Sequence, residues 1–325
     1  MTTIIELEDV RKTFVRWEKA GRVRRRRRTV EAVAGIGFAI ERGTIVGYVG
    51  PNGAGKSTTV KMLTGILVPS GGRISVCGRV PARERIDLAR RIGVVFGQRV
   101  QLWWDLPLRD SFELLRHIYR VPAERYRKNL DRFTELLDLG RLLATPVRQL
   151  SLGERMRGEL TAALLHDPEV VFLDEPTIGL DVVAKARVRE FLADVNRERG
   201  VTVLLTTHDL TDIERLCSRL LILDRGRVIY DGGLDELKRR YGNERTLVVD
   251  LAEPLPALAI PGTRVVRVDG NRQWLRFPGE EVTAARVVAA VAEQAPLVDL
   301  ALEEPEIEEV VRRIYVEGEV LPARS

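Results

Sequence analysis

The chain reads as an α/β protein interrupted by a helical insert and followed by a small α+β module, and three observations carry that reading. In the first half and again from residue 169, apolar strand patterns alternate with helical patterns. Between these stretches, FELLRHIY and LDRFTELLDL repeat apolar residues at helical spacing, placing helices over residues 108 to 143. Beyond YGNER, at Tyr241 to Arg245, short strand patterns give way to two helices over about 80 residues, within the usual domain range. The expected division is residues 1–242, with a helical subdomain at about 100–165, and residues 243–325 as an accessory or regulatory domain.

Taken in order, IIELED alternates apolar and acidic residues as a half-exposed strand does. TVEAVAGIGFAI reads as a strand or strand pair, and ERG turns the chain into the apolar strand TIVGYVG. A glycine-rich loop follows, then the helix KSTTVKMLTGIL, closed by Pro69 and a turn at Gly71-Gly72. After the insert come the strand EVVFLDE, a helix across 182 to 197, the strand VTVLLTT and a helix across 209 to 217. The short strands LLILD and RVIYD are joined by DRGR as a hairpin. In the last module TLVVDL, TRVVRVD and QWLRF read as strands, with helices around 281 to 294 and 304 to 315.

Composition narrows the function classes. Of 325 residues, 45% are apolar and 30% charged, ordinary for a globular protein. No apolar run approaches the roughly 18 to 20 residues that span a bilayer, and MTTIIELEDV lacks the plan of a signal peptide. A soluble chain is expected, on the cytoplasmic side. Cys77 and Cys217 lie far apart without metal-ligand spacing and read as free thiols. The net charge is +5, but Arg22 and Arg24 to Arg28 supply six of the positive charges, and taking those six from +5 leaves −1. The basicity is local, so no specific nucleic-acid partner is expected. The arginine run reads as a solvated hairpin tip, with contact to anionic lipid headgroups as the alternative.

The strongest chemical signal is GPNGAGKST, running from Gly50 through Asn52, Gly53, Gly55, Lys56 and Ser57 to Thr58, between a strand and a helix. Its glycines let backbone N–H groups curl around phosphates, Lys56 reaches the terminal phosphates, and Ser57 can ligate magnesium. At average residue frequencies a chance match occurs in about one chain of this length in a hundred. EVVFLDEPT ends an apolar strand in Asp174, placed to hold magnesium, and Glu175, able to polarise a water. Alone these would be two solvated carboxylates before Pro176; after a phosphate loop the functional reading prevails. LLTTHDL puts His208 just past another apolar strand, and TIGLD puts Asp181 after a glycine turn, where a plain N-cap is the alternative. RQLSLGERMRGEL is either a helix capped by Ser151 with Glu154 completing a capping box, or a helix start that senses a phosphate.

The order GPNGAGKST, FGQ, LSLGE, VVFLDEPTIGLD and TTHD resembles the ATP-binding subunit of ABC transporters, over about residues 4 to 240. LVDLALEEPEIEEVVRRIY looks like the ending of the ATPases that serve ABC-2-type permeases, mostly exporters. The resemblance implies a P-loop NTPase core of ABC type with an antiparallel β subdomain and a helical subdomain. It implies ATP and Mg2+ as cofactors, an integral membrane permease as partner, and a second copy or related subunit enclosing two ATP molecules. Residue by residue, it makes Glu175 the general base, His208 the contact to the γ-phosphate, and Lys56 the phosphate-binding lysine. Ser57, Gln98 and Asp174 become the magnesium residues, with Gln101 a neighbouring candidate in that register. Phe14, or Trp17 in its place, becomes the adenine-stacking aromatic. Ser151, Gly153 and Glu154 would close on ATP held by the partner, and Asp181 would act across the dimer.

Two positions depart from the family's Leu-Ser-Gly-Gly-Gln. Leu152 replaces a glycine and requires φ below zero. Glu154 replaces a glutamine, and a carboxylate accepts from ribose but cannot donate. Trp103 and Trp104 diverge as adjacent residues must, so one buried and one exposed is expected, unless both form the groove for a permease's coupling helix. A soluble ABC ATPase acting on ribosomes or DNA, which usually carries paired cassettes or long coiled-coil insertions, and a P-loop kinase are the alternative readings.

Overall fold

The computed structural model describes residues 2–19, 25–97, 100–241, 244–279, 281–304 and 307–317. They form two compact units that divide at Gly232 and Gly233.

The first unit opens on β1 (Thr3–Lys19) and β2 (Arg25–Glu41), followed by β3 (Ile45–Val49), α1 (Lys56–Leu63), β4 (Gly71–Val76), α2 (Arg85–Ala89) and β5 (Ile92–Phe96). The insert holds α3 (Leu108–Tyr119), α4 (Ala123–Leu136) and α5 (Leu152–Leu164), with two short 3-10 turns before α5. The α/β alternation resumes with β6 (Val170–Asp174), α6 (Val182–Arg199), β7 (Thr202–Thr206), α7 (Leu210–Leu216), β8 (Arg219–Asp224) and β9 (Arg227–Gly233). Among the described residues no helix is long and apolar enough to cross a membrane.

Six strands form one sheet in the order β5-β6-β7-β3-β8-β9. The pairs β5/β6, β6/β7, β3/β7 and β3/β8 are parallel. Strands β3 and β7 are buried at every position, as parallel strands covered on both faces must be. Because β3 precedes β5 and β6 in the chain yet lies between β7 and β8, connections diverge at the carboxyl ends of β3 and β7. Crevices at such switch points are where α/β sheets bind ligands. Strand β9 returns beside β8 through Arg225 and Gly226, both with positive φ, the geometry of a tight hairpin turn.

A second sheet, β2-β1-β4, packs its apolar face into the same core through Ile5, Val10, Ile36, Ile40 and Val76. Its long antiparallel pair runs from Thr3↔Glu41 to Lys19↔Arg25. Arg22 and Arg24 fall outside the described residues, while Arg25 to Arg28 continue β2. Gly71-Gly72, read above as a turn, instead starts β4. Gly72 has φ +82°, and a Cβ there would collide with the Asp9 carbonyl of the neighbouring strand, so only glycine permits the approach.

The second unit contains α8 (Leu234–Tyr241), β10 (Glu244–Leu251), β11 (Arg264–Asp269), β12 (Arg272–Pro278), α9 (Ala284–Gln294), β13 (Leu297–Glu303) and α10 (Ile307–Glu317). Its antiparallel sheet has the order β11-β12-β10-β13, and Val287 and Val291 of α9 cover Leu247, Val249, Leu275 and Phe277. Strand β13 went unread in the sequence because its residues from Val298 to Glu303 are all exposed, which blurs the alternation of a half-buried strand.

Candidate active site

Four elements deliver their C-terminal ends to one place. The loop after β3 turns on Gly53 (φ +84°) and Gly55 (φ +106°), where a Cβ would stand 2.6 Å from the Ala32 carbonyl oxygen. Gly55 caps α1 without a side-chain acceptor, and the helix has no acidic residue in its first turn. Its amides and the positive end of its dipole are thus available to an anion. Lys56 is buried at 6% exposure and its Nζ donates to the carbonyls of Gly50 (2.5 Å) and Pro51 (3.3 Å). Burial pushes its ammonium below the usual lysine range, while Glu175 and Asp174 pull it back up.

The apolar strand β6 carries Asp174 to its tip, where Oδ1 accepts from Thr206 Oγ1 at 2.5 Å and from Ser57 Oγ at 3.4 Å. This one oxygen ties the ends of β6 and β7 to the start of α1. Glu175 then adopts a left-handed φ of 56°, its N–H donating to the Thr206 carbonyl at 2.9 Å. For a non-glycine residue that conformation is strained and needs a surrounding structure that enforces it. The turn aims the side chain at His208, with Nε2 2.9 Å from Glu175 Oε1. Gly97, at the end of β5, donates to the Asp174 carbonyl at 2.8 Å, and a Cβ at 97 would meet the carbonyl oxygens of Asp174 and Glu175, each at 2.8 Å.

Around these groups lies a cavity of about 280 Å³ lined by Asn52, Ser57, Lys61, Gly97, Asp174, Glu175 and two apolar neighbours. A larger cleft of about 780 Å³ beside α4 and α6 holds none of the phosphate-loop residues. Its Arg125 and Arg199 pair with Asp167, and its Arg132 with Glu198.

Other residues named from the sequence stand elsewhere. Ser151 caps α5 and completes a capping box: its Oγ accepts from Glu154 N–H at 3.3 Å, and Glu154 Oε2 accepts from Ser151 N–H at 3.0 Å and from its hydroxyl at 2.9 Å. Those bonds, with Arg141 and Arg157 nearby, hold the Glu154 carboxyl below its usual range. Leu152 begins α5 with φ below zero and lies against Gly179. Gly153 faces Leu180 and Ala184, and Asp181 caps α6 by accepting from Ala184 N–H at 2.8 Å. None of these residues lines the 280 Å³ cavity of its own chain. Phe14 is half-buried on β1, 5.3 Å beneath Lys12 Nζ, and also stands outside that cavity. Gln98 lies outside the described residues, as does the side chain of Trp17. Gln101 turns away, its Nε2 donating to the Glu159 carbonyl at 3.2 Å. The expectation of one buried tryptophan fails: Trp103 is 38% and Trp104 49% exposed, because both sit on a surface loop, Trp104 under the Arg155 guanidinium.

Sequence reading missed the scaffold behind His208. Lys185 on α6 pairs with Asp209 at 2.5 Å, and Arg189, one turn on, pairs with the buried Asp212 at 2.7 Å. Thr177 donates to the other Asp212 oxygen at 2.6 Å. Two basic residues four apart facing two acids three apart were the available signal, although their contact across 23 or 24 residues is tertiary.

Comparison with known proteins agrees with this geometry. Residues 33–178 match the family model described as ABC transporter. A daunorubicin resistance ATP-binding protein, DrrA3 of Streptomyces coeruleorubidus, is 38% identical over 285 residues, covering 86% of this chain and 90% of the relative. The chain belongs to the ABC transporter ATP-binding proteins. A Nod factor export ATP-binding protein from Ralstonia nicotianae is 36% identical, with 69% of this chain and 74% of the relative covered. Among solved structures, the dimeric post-hydrolysis ATP-binding cassette MJ0796, bound to ADP and Pi, superposes with a TM-score of 0.61. It shares 25% identity and covers 71% of this chain and 99% of that one. An ABC cassette of this kind binds ATP.

Proposed function

We propose that this ABC cassette hydrolyses ATP as a dimer on the cytoplasmic face of a membrane and drives export through a separate ABC-2-type permease. The Glu175 and His208 pair, with Glu175 lining the cavity beside Asn52 and Ser57, carries the hydrolytic reading. Export is supported by the relatives named for drug resistance and for Nod factor export.

Ser57 and Asp174 offer hard oxygen donors, and magnesium is typically held by one or two carboxylates plus substrate phosphates, so the pair fits that ion, with Gln98 as a third donor. When bound, magnesium neutralises charge on the β- and γ-phosphates. Lys56 and the α1 amides hold the phosphates in line. Glu175 Oε1 accepts a proton from water as the water oxygen bonds to the γ-phosphorus and the bridging oxygen leaves with ADP. His208 orients the carboxylate and steadies the γ-phosphate. Ser151 and Gly153, outside their own chain's cavity, close on the ATP of a second copy, with Asp181 acting across the dimer. Phe14 stacks on adenine.

Partner docking fits the exposed step at Trp103 and Trp104, and on α3 Leu114 (39%) and Ile118 (58%) are exposed as well. Such an aromatic and apolar surface suits an amphipathic coupling helix. The second unit, residues 233–319, holds none of the residues assigned to catalysis and serves dimer packing or regulation.

The test is ATP turnover by the purified chain, followed by affinity purification from membranes. Magnesium-dependent turnover and a co-purifying integral subunit are expected. Turnover without a membrane partner, together with ribosome or DNA association, would move the assignment to a soluble ABC ATPase.

A further inference from the structure

Glu159 is a buried carboxylate, 4% exposed, that the hydrolytic mechanism leaves unused. It sits two turns into α5, and its oxygens face the backbone of the loop that leaves β5. Oε1 accepts from Gln101 N–H at 3.1 Å and from Leu102 N–H at 3.4 Å, and Oε2 accepts from Gln101 N–H at 3.3 Å. In return Gln101 Nε2 donates to the Glu159 main-chain carbonyl. Burial pushes the Glu159 carboxyl up to about 7, against the lowering effect of those amides and of Arg155.

Neighbouring positions on the same helix extend the grip. A Cβ on Gly158 would stand 2.8 Å from Leu108 Cδ1 and 3.1 Å from Leu102 Cδ1, so glycine at 158 makes the socket that Leu102 fills. Arg155 lies over the Trp104 ring at 5.7 Å. Residues 155, 158 and 159 are spaced i, i+3, i+4 and form one helical face. That face holds residues 101, 102 and 104, while the N-terminus of the same helix presents Ser151 and Gly153. Eight residues of helix separate Ser151 from Glu159, about 12 Å at 1.5 Å per residue.

We propose that Glu159 is a positioning residue that latches the loop from Gln101 to Trp104 onto α5, so that the helix start bearing Ser151 and the Trp103-Trp104 step move as one body. This rests on the proposed function in one respect: the signal that moves α5 is a partner's ATP. The latch itself is a feature of the single chain.

Hydrogen exchange on the full chain reads the latch directly, since its donors are backbone amides. Glu159→Ala should speed exchange at Gln101 and Leu102 by about tenfold or more, the loss of a buried acceptor releasing both amides. Glu159→Gln keeps an acceptor oxygen at the same reach and should restore protection. Nucleotide affinity of the monomer, measured with a fluorescent ADP analogue, should stay within about twofold in all variants, whereas ATP-driven dimerisation and kcat fall roughly fivefold or more only in the alanine variant. Unchanged exchange in Glu159→Ala, or a folded Glu159→Gln as impaired as alanine, overturns the latch. Should Glu159→Ala fail to fold, Gly158→Ala replaces it: crowding Leu102, it must raise exchange over residues 101–104, and unaltered protection there overturns the proposal. A wild-type chain that hydrolyses no ATP sinks the proposed function instead, and the exchange result still judges the latch.

Discussion

His208 Nε2 and Glu175 Oε1 stand 2.9 Å apart, brought together by a left-handed residue at 175 and a loop that α6 holds from behind. The pair joins the ends of β6 and β7, which are parallel neighbours in the sheet. Glu175→Gln keeps the size and the strained turn but removes the proton acceptor. Turnover should fall roughly a hundredfold or more while ATP binding persists and a nucleotide-bound dimer accumulates. Steady-state kinetics beside size-exclusion chromatography in ATP will check it, and unchanged turnover removes Glu175 as the base.

Gly153 separates the two readings of the α5 start. Within the chain an added Cβ would meet only Ala184 Cβ at 3.6 Å and Leu180 Cδ2 at 3.7 Å, ordinary contacts. Gly153→Ala should therefore hold stability within about 1 kcal/mol in urea titrations, with any change favouring the helix. If the α5 start closes on a partner's ATP as proposed, dimerisation driven by ATP should nonetheless be lost, because the added methyl group would stand between the helix amides and that phosphate. A variant that dimerises normally would return Ser151 and Gly153 to a purely local capping role.

Arg189 and Asp212 form a pair at 12% and 1% side-chain exposure. Arg189→Met strands a buried carboxylate beside Thr177 and should cost about 3 kcal/mol in chemical denaturation. Adding Asp212→Asn removes the stranded charge and should recover at least half of that loss. The turnover of Arg189→Met should drop as well, since α7 begins two residues after His208.

Glu159 makes stability depend on pH in an unusual direction for a carboxylate. With its ordinary value near 4.5 and its folded value raised to about 7, the folded chain binds the extra proton between those limits. The contribution is fully present below about pH 4.5 and is lost as pH rises through 7, by up to ~3 kcal/mol. Denaturation midpoints of wild type minus Glu159→Gln, measured from pH 5 to 8, should fall with pH. A flat difference would place solvent around the carboxylate.

Much of this was legible in one dimension because the chemistry of a phosphate loop is local. A phosphate loop works through neighbouring backbone amides, which the spacing of glycines from Gly50 to Thr58 marks, and Asp174 and Glu175 sit where an apolar strand ends, so spacing and hydrophobic pattern point to them. The capping box at Ser151 and Glu154 is likewise a contact across three residues, and both readings of it require the helix start that the structure contains.

What the linear order could not decide are contacts between distant positions. That Thr206 shares an oxygen of Asp174 with Ser57, that α6 rivets the loop of His208 through Lys185 and Arg189, and that Glu159 holds Gln101 depend on burial and sheet order. The same carboxylate would be a solvated charge if α5 packed differently. The sequence alone determined which residues could bind phosphate, activate water and cap helices, since those properties belong to side-chain type and local geometry. Only the tertiary structure decided which of them share a cavity and which, like Ser151 and Gly153, are held outside it, because low-dielectric burial and partner placement arise from packing across the whole sheet.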